Sequence, residues 1–126
     1  MQDFRKLDVF QRGLGLTSAV YRATRSFPKS ETYALSSQMR RAAASIPSNV
    51  AEGCSRRASA ELARFLEIAL GSANELEAQT LLVGELGYLS SEREEALMAE
   101  IGAVQGMLIR LRARVLAPQT QIQEPK

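Results

Sequence analysis

The sequence has no histidine, no tryptophan, one cysteine and three lysines among its 126 residues. Without histidine, the common zinc and haem constellations and the cysteine-histidine pair lose their usual ligand or base, and Cys54 alone cannot form an internal disulfide. No glycine-rich phosphate loop is present either, so an active site would have to be built from carboxylates or a lysine. Glu75 and Glu77 are the natural pair to consider, but residues two apart on a helix point about 200° from each other and cannot share a substrate. The Glu-x-x-His signature of metal-binding bundles cannot exist here. These absences argue against catalysis and against any metal or cofactor, and they leave Cys54 as an expected buried spectator.

Long apolar runs are missing too. No stretch approaches the ~18 to 20 uninterrupted apolar residues of a membrane span, and Met1-Gln2-Asp3-Phe4-Arg5 opens without an apolar segment of signal-peptide length, so a cytoplasmic protein is expected. Aromatic residues make up only 6%, whereas Ala, Leu, Glu and Arg dominate, a balance that favours helix over strand. With 45% apolar residues the chain suffices for one core.

What is present is helical periodicity. Phe4, Leu7, Phe10, Leu14, Thr17, Tyr21 and Thr24 recur at three- and four-residue spacing and predict a first helix that ends before Pro28, followed by a tight turn. A second stripe, Tyr33, Leu35, Met39, Ala42, Ala43, Ile46 and Val50, keeps its period across Pro47. That proline lacks an amide hydrogen and crowds the Ala43 carbonyl, so a kink or break near Ile46 is expected, with Ser45 or Ser48 satisfying freed backbone groups. Gly53 is expected to end this helix in a left-handed conformation, and Ser59 to cap the next. The third helix carries Leu62, Phe65, Leu66, Ala69, Ala73, Leu76, Thr80, Val83 and Leu86, with a small-residue patch at Gly71-Ser72-Ala73. Gly87 closes it, and Ser91 with Glu94 fits a capping box for the fourth. Leu97, Ile101, Val104, Leu108, Leu111 and Val115 then form a bundle seam that stops at Pro118. Residues 1–118 therefore predict an all-α, antiparallel up-down-up-down four-helix bundle, and residues 119–126 a polar, disordered tail.

Two ungapped blocks add a resemblance. The segment from Leu35 to Gly53, LSSQMRRAAASIPSNVAEG, resembles the signature of the bacterial 23S ribosomal RNA intervening-sequence proteins. Ser59 to Gln79, SAELARFLEIALGSANELEAQ, then Leu86-Gly87-Tyr88-Leu89 and the opening Phe4 to Gln11, are similar to the same family. Departures are mild: Ala34 stands where the family often has glycine, and Leu62 where it often has phenylalanine. The resemblance implies the four-helix fold, a homopentameric assembly and a link to RNA, since some relatives are encoded within insertions in large-subunit ribosomal RNA genes. Accessory proteins of diversity-generating retroelements form a related branch, similar in fold, that engages nucleic acid and a reverse transcriptase.

Charge is segregated along the chain. Residues 1–60 hold ten basic and four acidic side chains, residues 61–100 hold two and nine, and the last 26 hold four and one. Among the basic residues Arg22, Arg25 and Lys29 recur at helical spacing, while Arg40, Arg41, Arg56 and Arg57 come in adjacent pairs around the second helix, and arginine forks suit phosphate. These seven are the candidate nucleic-acid contacts, with ribosomal RNA the partner in view. Two structural roles compete with phosphate contact: stabilisation of the first helix's C-terminus by Arg22 and Arg25, and salt bridges from the second-helix arginines to the acidic third helix. Arg110, Arg112 and Arg114 have the same helix-end role open to them. With no aromatic residues interleaved among these arginines, binding is expected to follow the RNA backbone and to weaken with salt. The alternative function is a protein-protein adaptor whose charges hold subunits together.

Overall fold

A computed structural model describes residues 3–118, without the side chains of residues 31–33, so the expected tail at 119–126 and the inward side chain of Tyr33 lie outside the described residues. All regular structure described is helical: α1 (Asp8–Thr24), α2 (Ser37–Cys54), α3 (Ser59–Glu85) and α4 (Ser91–Leu116). A 3-10 turn over Phe4–Lys6 precedes α1, and a 3-10 turn followed by a π turn, Thr32–Ser36, leads into α2. The helices close into a four-sided arrangement in which α1 and α3 each pack against both α2 and α4.

The regular seam of α4 folds as its spacing predicts: Leu97, Ile101, Val104, Leu108 and Leu111 are buried and Val115 half-buried. They meet Leu66, Ala69, Ala73, Leu76 and Val83 of α3 and Met39, Ala43, Ile46 and Val50 of α2 in one core. The first helix differs. Its buried residues are Val9, Gly13, Leu16, Val20, Ala23 and Thr24, so of the expected stripe only Thr24 is buried, while Leu14 and Tyr21 are 45% and 43% exposed. The helix begins at Asp8 rather than Phe4 because Asp3 caps the preceding 3-10 turn, accepting from the Arg5 amide at 3.1 Å. The buried edge of α1 runs through the small Gly13 and Ala23 as well as Val9, Leu16 and Val20, and Phe10, Leu14 and Tyr21 flank it. Leu86, expected inside, is likewise 49% exposed beyond the end of α3.

Small residues are needed because α1 and α2 approach closely at Pro47. A Cβ on Gly13 would lie 3.3 Å from Pro47 Cδ and 3.4 Å from its Cβ. The helix α2 continues through Pro47 without a break. The Ala43 carbonyl, deprived of its helical donor, is met across the interface by the Thr17 hydroxyl at 3.1 Å, which also lies 2.8 Å from the Gly13 carbonyl. The expected helpers do not reach it: Ser45 Oγ pairs with Ser72 Oγ of α3 at 2.8 Å and takes a bond from Asn49, which also donates to the Ser45 carbonyl, and Ser48 is exposed with no hydrogen bond from its side chain to the described residues.

Three expected caps are corrected. Gly53 lies inside α2, where a Cβ would come within 2.9 Å of Leu62 Cδ1 and Phe65 Cβ, so it serves close α2–α3 packing rather than a left-handed stop. Ala58 rather than Ser59 occupies the N-cap of α3, with no side-chain bond. Ser90, one residue before the expected cap, takes the Arg93 amide at the start of α4. Gly87 does close α3: at φ 79° its amide bonds the Gly84 carbonyl, and the Tyr88 amide bonds that of Val83.

Candidate nucleic-acid interface

The fold divides the seven basic residues into two groups. Arg22 and Arg25 finish α1, Lys29 follows in the connecting turn, and Arg40 and Arg41 lie near the start of α2, whose Arg40 reaches Thr24 directly. Arg56 and Arg57 lie past the other end of α2, about 22 Å from Arg41 at roughly 1.5 Å per helical residue. One set therefore spans the α1–α2 connection, and the other borders the start of α3.

Arg40 is the most constrained member. It is half-buried, its Nε donates to the Thr24 hydroxyl at 2.8 Å, and its guanidinium lies 4.6 Å from the Tyr21 ring centre. Thr24 itself donates back to the Val20 carbonyl at 2.9 Å, so its oxygen is presented to Arg40 as an acceptor. With Nε occupied and one face on an aromatic ring, the two terminal nitrogens of the fork are held outward with no hydrogen bond to the described residues. Arg22 is exposed and donates to Ser18 Oγ at 2.8 Å. Arg25, Lys29, Arg41 and Arg57 are exposed, and their side chains make no hydrogen bond, ion pair or ring contact with the described residues.

Arg56 pairs with the Glu52 carboxylate one turn earlier and lies 5.0 Å from the Phe65 ring centre, while Arg64 lies 4.8 Å from the same ring. None of the α2 arginines pairs with an α3 carboxylate among the described residues. Three of the five α3 carboxylates are engaged elsewhere: Glu67 by Arg112 of α4 at 3.3 Å, Glu77 by Gln105 at 2.8 Å and Glu75 by Gln79 at 3.3 Å. Within one chain, then, the basic side is not neutralised by the acidic one. The helix-end role does fit Arg22 and Arg25, which sit in the last turn of α1 and at its C-cap.

Sequence reasoning missed the aromatic partners. No aromatic residue interrupts the arginine pairs along the chain, yet the fold sets Tyr21 beneath Arg40 and Phe65 between Arg56 and Arg64. Apolar spacing directs Tyr21 inward, and only the displaced face of α1 brings it beside α2. Cys54 is buried, and that burial pushes its thiol pKa up, which suits an unreactive side chain. Among the described residues no group of histidine, cysteine and acidic side chains could hold a metal ion, and no helix is long and apolar enough to cross a membrane.

Comparison with known proteins supplies a family. Residues 5–110 match the family described as 23S rRNA-intervening sequence protein. A 1.70 Å crystal structure of a protein with unknown function from the S23 ribosomal protein family of Bacteroides thetaiotaomicron is similar in fold, with a TM-score of 0.76 and 23% identity over 82% of this chain and 94% of that one. No curated protein matches the sequence.

Proposed function

This chain belongs to the 23S rRNA-intervening sequence protein family, and from that premise we propose that it is a non-catalytic homo-oligomer, a pentamer, that binds structured RNA through the basic surface of α1 and α2. The observation that carries this reading is a set of exposed cations with no partner among the described residues, Arg25, Lys29 and Arg41 on the side of the α1–α2 connection and Arg57 past the far end of α2, together with an Arg40 fork already oriented by Thr24 and Tyr21. Backbone-directed binding needs such outward forks and no base-reading pocket. The Tyr21 and Phe65 rings lie against arginines, so they serve to orient cations rather than to stack on bases.

An up-down-up-down antiparallel bundle underlies the proposal. It is supported by contacts in which rising numbers on one helix meet falling numbers on the next: Gly13 with Pro47, Thr17 with Ala43 and Thr24 with Arg40, then Asn74 with Gln105 and Glu67 with Arg112. A bend of α2 at Pro47 belongs to the same reading, supported by the missing amide and the crowded Ala43 carbonyl. Ring assembly needs two different patches on each copy. The apolar flank of α1, with Leu14 and Tyr21, and the outer apolar residues of α3, Ile68 and Leu82, supply two such patches.

The test is a mobility-shift titration with ribosomal RNA fragments over a salt series, beside the variant carrying Arg40→Glu, Arg41→Glu and Arg57→Glu. The wild type should bind at low salt and lose affinity steeply as salt rises, and the variant should show a shallower slope, by about 0.7 to 0.9 per phosphate contact removed. Light scattering should give an unchanged oligomer for the variant. Absence of binding at low salt, or equal binding by an intact variant, overturns the RNA reading. Assembly that then weakens at high salt would point to the adaptor role, in which the same charges join subunits.

A further inference from the structure

We propose that the hollow between the start of α1 and the end of α4 binds a phosphate-bearing small molecule of about nucleotide size. The hollow has a volume of about 360 Å³, with Lys6, Arg110 and Arg114 around it, Asp8 at one side and Val9 and Leu111 in its floor. It uses none of the residues assigned above to RNA. It lies on the α1–α4 side of the bundle, away from the face shared by α2 and α3.

Three cations converge on this concavity, and none of them forms an ion pair with the described residues, Asp8 included. Elsewhere Arg12, Arg56 and Arg112 each find a carboxylate. Like charges facing one another across a concave surface raise the local positive potential, and a bound anion relieves it. The helix-end role accounts for Arg114 on α4 but not for Arg110, which lies before the last turn, nor for Lys6, which belongs to the 3-10 turn before α1 and meets them only in the fold. The sequence of α4 also leaves Arg110 room, since its guanidinium folds back over Gly106, where a Cβ would lie 3.2 Å from Nη1.

Charge and shape together select the ligand. Three cations less one carboxylate leave a local charge of +2, which matches the roughly −1.5 to −2 of a phosphate monoester near neutral pH. Arginine forks grip phosphate through paired N–H donors. Leu7 and Met107 are half-buried in the lining and give the organic body of the ligand an apolar surface, while the volume is too large for an inorganic ion to fill.

Isothermal titration of the full chain in low-salt, phosphate-free buffer tests this with three probes: adenosine 5′-monophosphate, inorganic phosphate and adenosine. The monophosphate should bind saturably and more tightly than inorganic phosphate, and adenosine should not bind. Replacing Arg110 and Arg114 together by Gln should weaken the monophosphate by roughly tenfold or more, the loss of a charge-assisted hydrogen bond. Asp8→Asn should strengthen it severalfold, because the competing carboxylate is gone. No binding of the monophosphate, equal affinity for inorganic phosphate, or an unchanged or weakened affinity in Asp8→Asn overturns the proposal. So does monophosphate binding that survives the Arg110 and Arg114 changes but is lost in the Arg40, Arg41 and Arg57 variant, which places the anion on the other surface.

Discussion

The α1–α2 pair and the α3–α4 pair meet the same packing requirement by different means. Between α1 and α2 the approach is close and irregular: glycine against proline, a threonine hydroxyl on a freed carbonyl, and the bulkier Phe10, Leu14 and Tyr21 left at the flank. Between α3 and α4 a heptad-like row of Leu, Ile and Val supplies the core, and Gln105 bridges the edge by donating to Asn74 and Glu77. Both pairs bury apolar area in one core, but the first adds a close fit at Gly13 and Pro47 and the second a regular apolar row along its length. Among the described residues unpaired arginines occur on both pairs, Arg25 and Arg41 on the first and Arg110 and Arg114 on the second, whereas three carboxylates of α3, Glu67, Glu75 and Glu77, are engaged within the chain.

That contrast can be broken in graded steps. Ile101→Ala, in the α4 seam and fully buried, should produce the largest loss, about 2 to 5 kcal/mol in a denaturant melt, because a row of similar contacts cannot collapse around the cavity. Thr17→Val keeps shape but strips the Ala43 carbonyl of its donor, and should cost about 1 to 3 kcal/mol. In a Pro47→Ala background, where residue 47 regains an amide, the same Thr17 change should cost clearly less, and a double-mutant cycle reads the difference. An equal cost in both backgrounds would separate the hydroxyl from the proline. Leu14→Glu should have the smallest effect on the chain itself, within about 0.5 kcal/mol, since the side chain is 45% exposed. In the proposed oligomer the same change should lower the mass measured by light scattering, which sharpens the distinction between core and flank on α1.

The legibility of the fold in the sequence follows the same division. The α4 seam could be read because its buried residues are also its most apolar ones, so spacing and hydrophobicity agree. On α1 they disagree. Val9, Leu16 and Val20 form a second apolar row, completed by the small Gly13 and Ala23, and an apolar-stripe search passes over it in favour of Phe10, Leu14 and Tyr21. Gly53 misled for a related reason, since glycine both ends helices and lets them touch, and only the position of Leu62 and Phe65 distinguishes the two uses. Of the candidate interface, the arginines could be named from their pairing along the chain. Their supports could not, because Thr24 and Tyr21 are 16 and 19 residues from Arg40 and are joined to it only by helix packing.

The bond from Thr17 to the Ala43 carbonyl also bears on how the chain folds. In an ordinary helix every interior carbonyl is satisfied locally, and a segment can flicker into helix before anything docks. Here Pro47 makes one carbonyl of α2 wait for a donor on α1. The second helix thus completes its own hydrogen bonding only when the first is in place, which ties secondary to tertiary structure and makes formation of the two helices a single cooperative event.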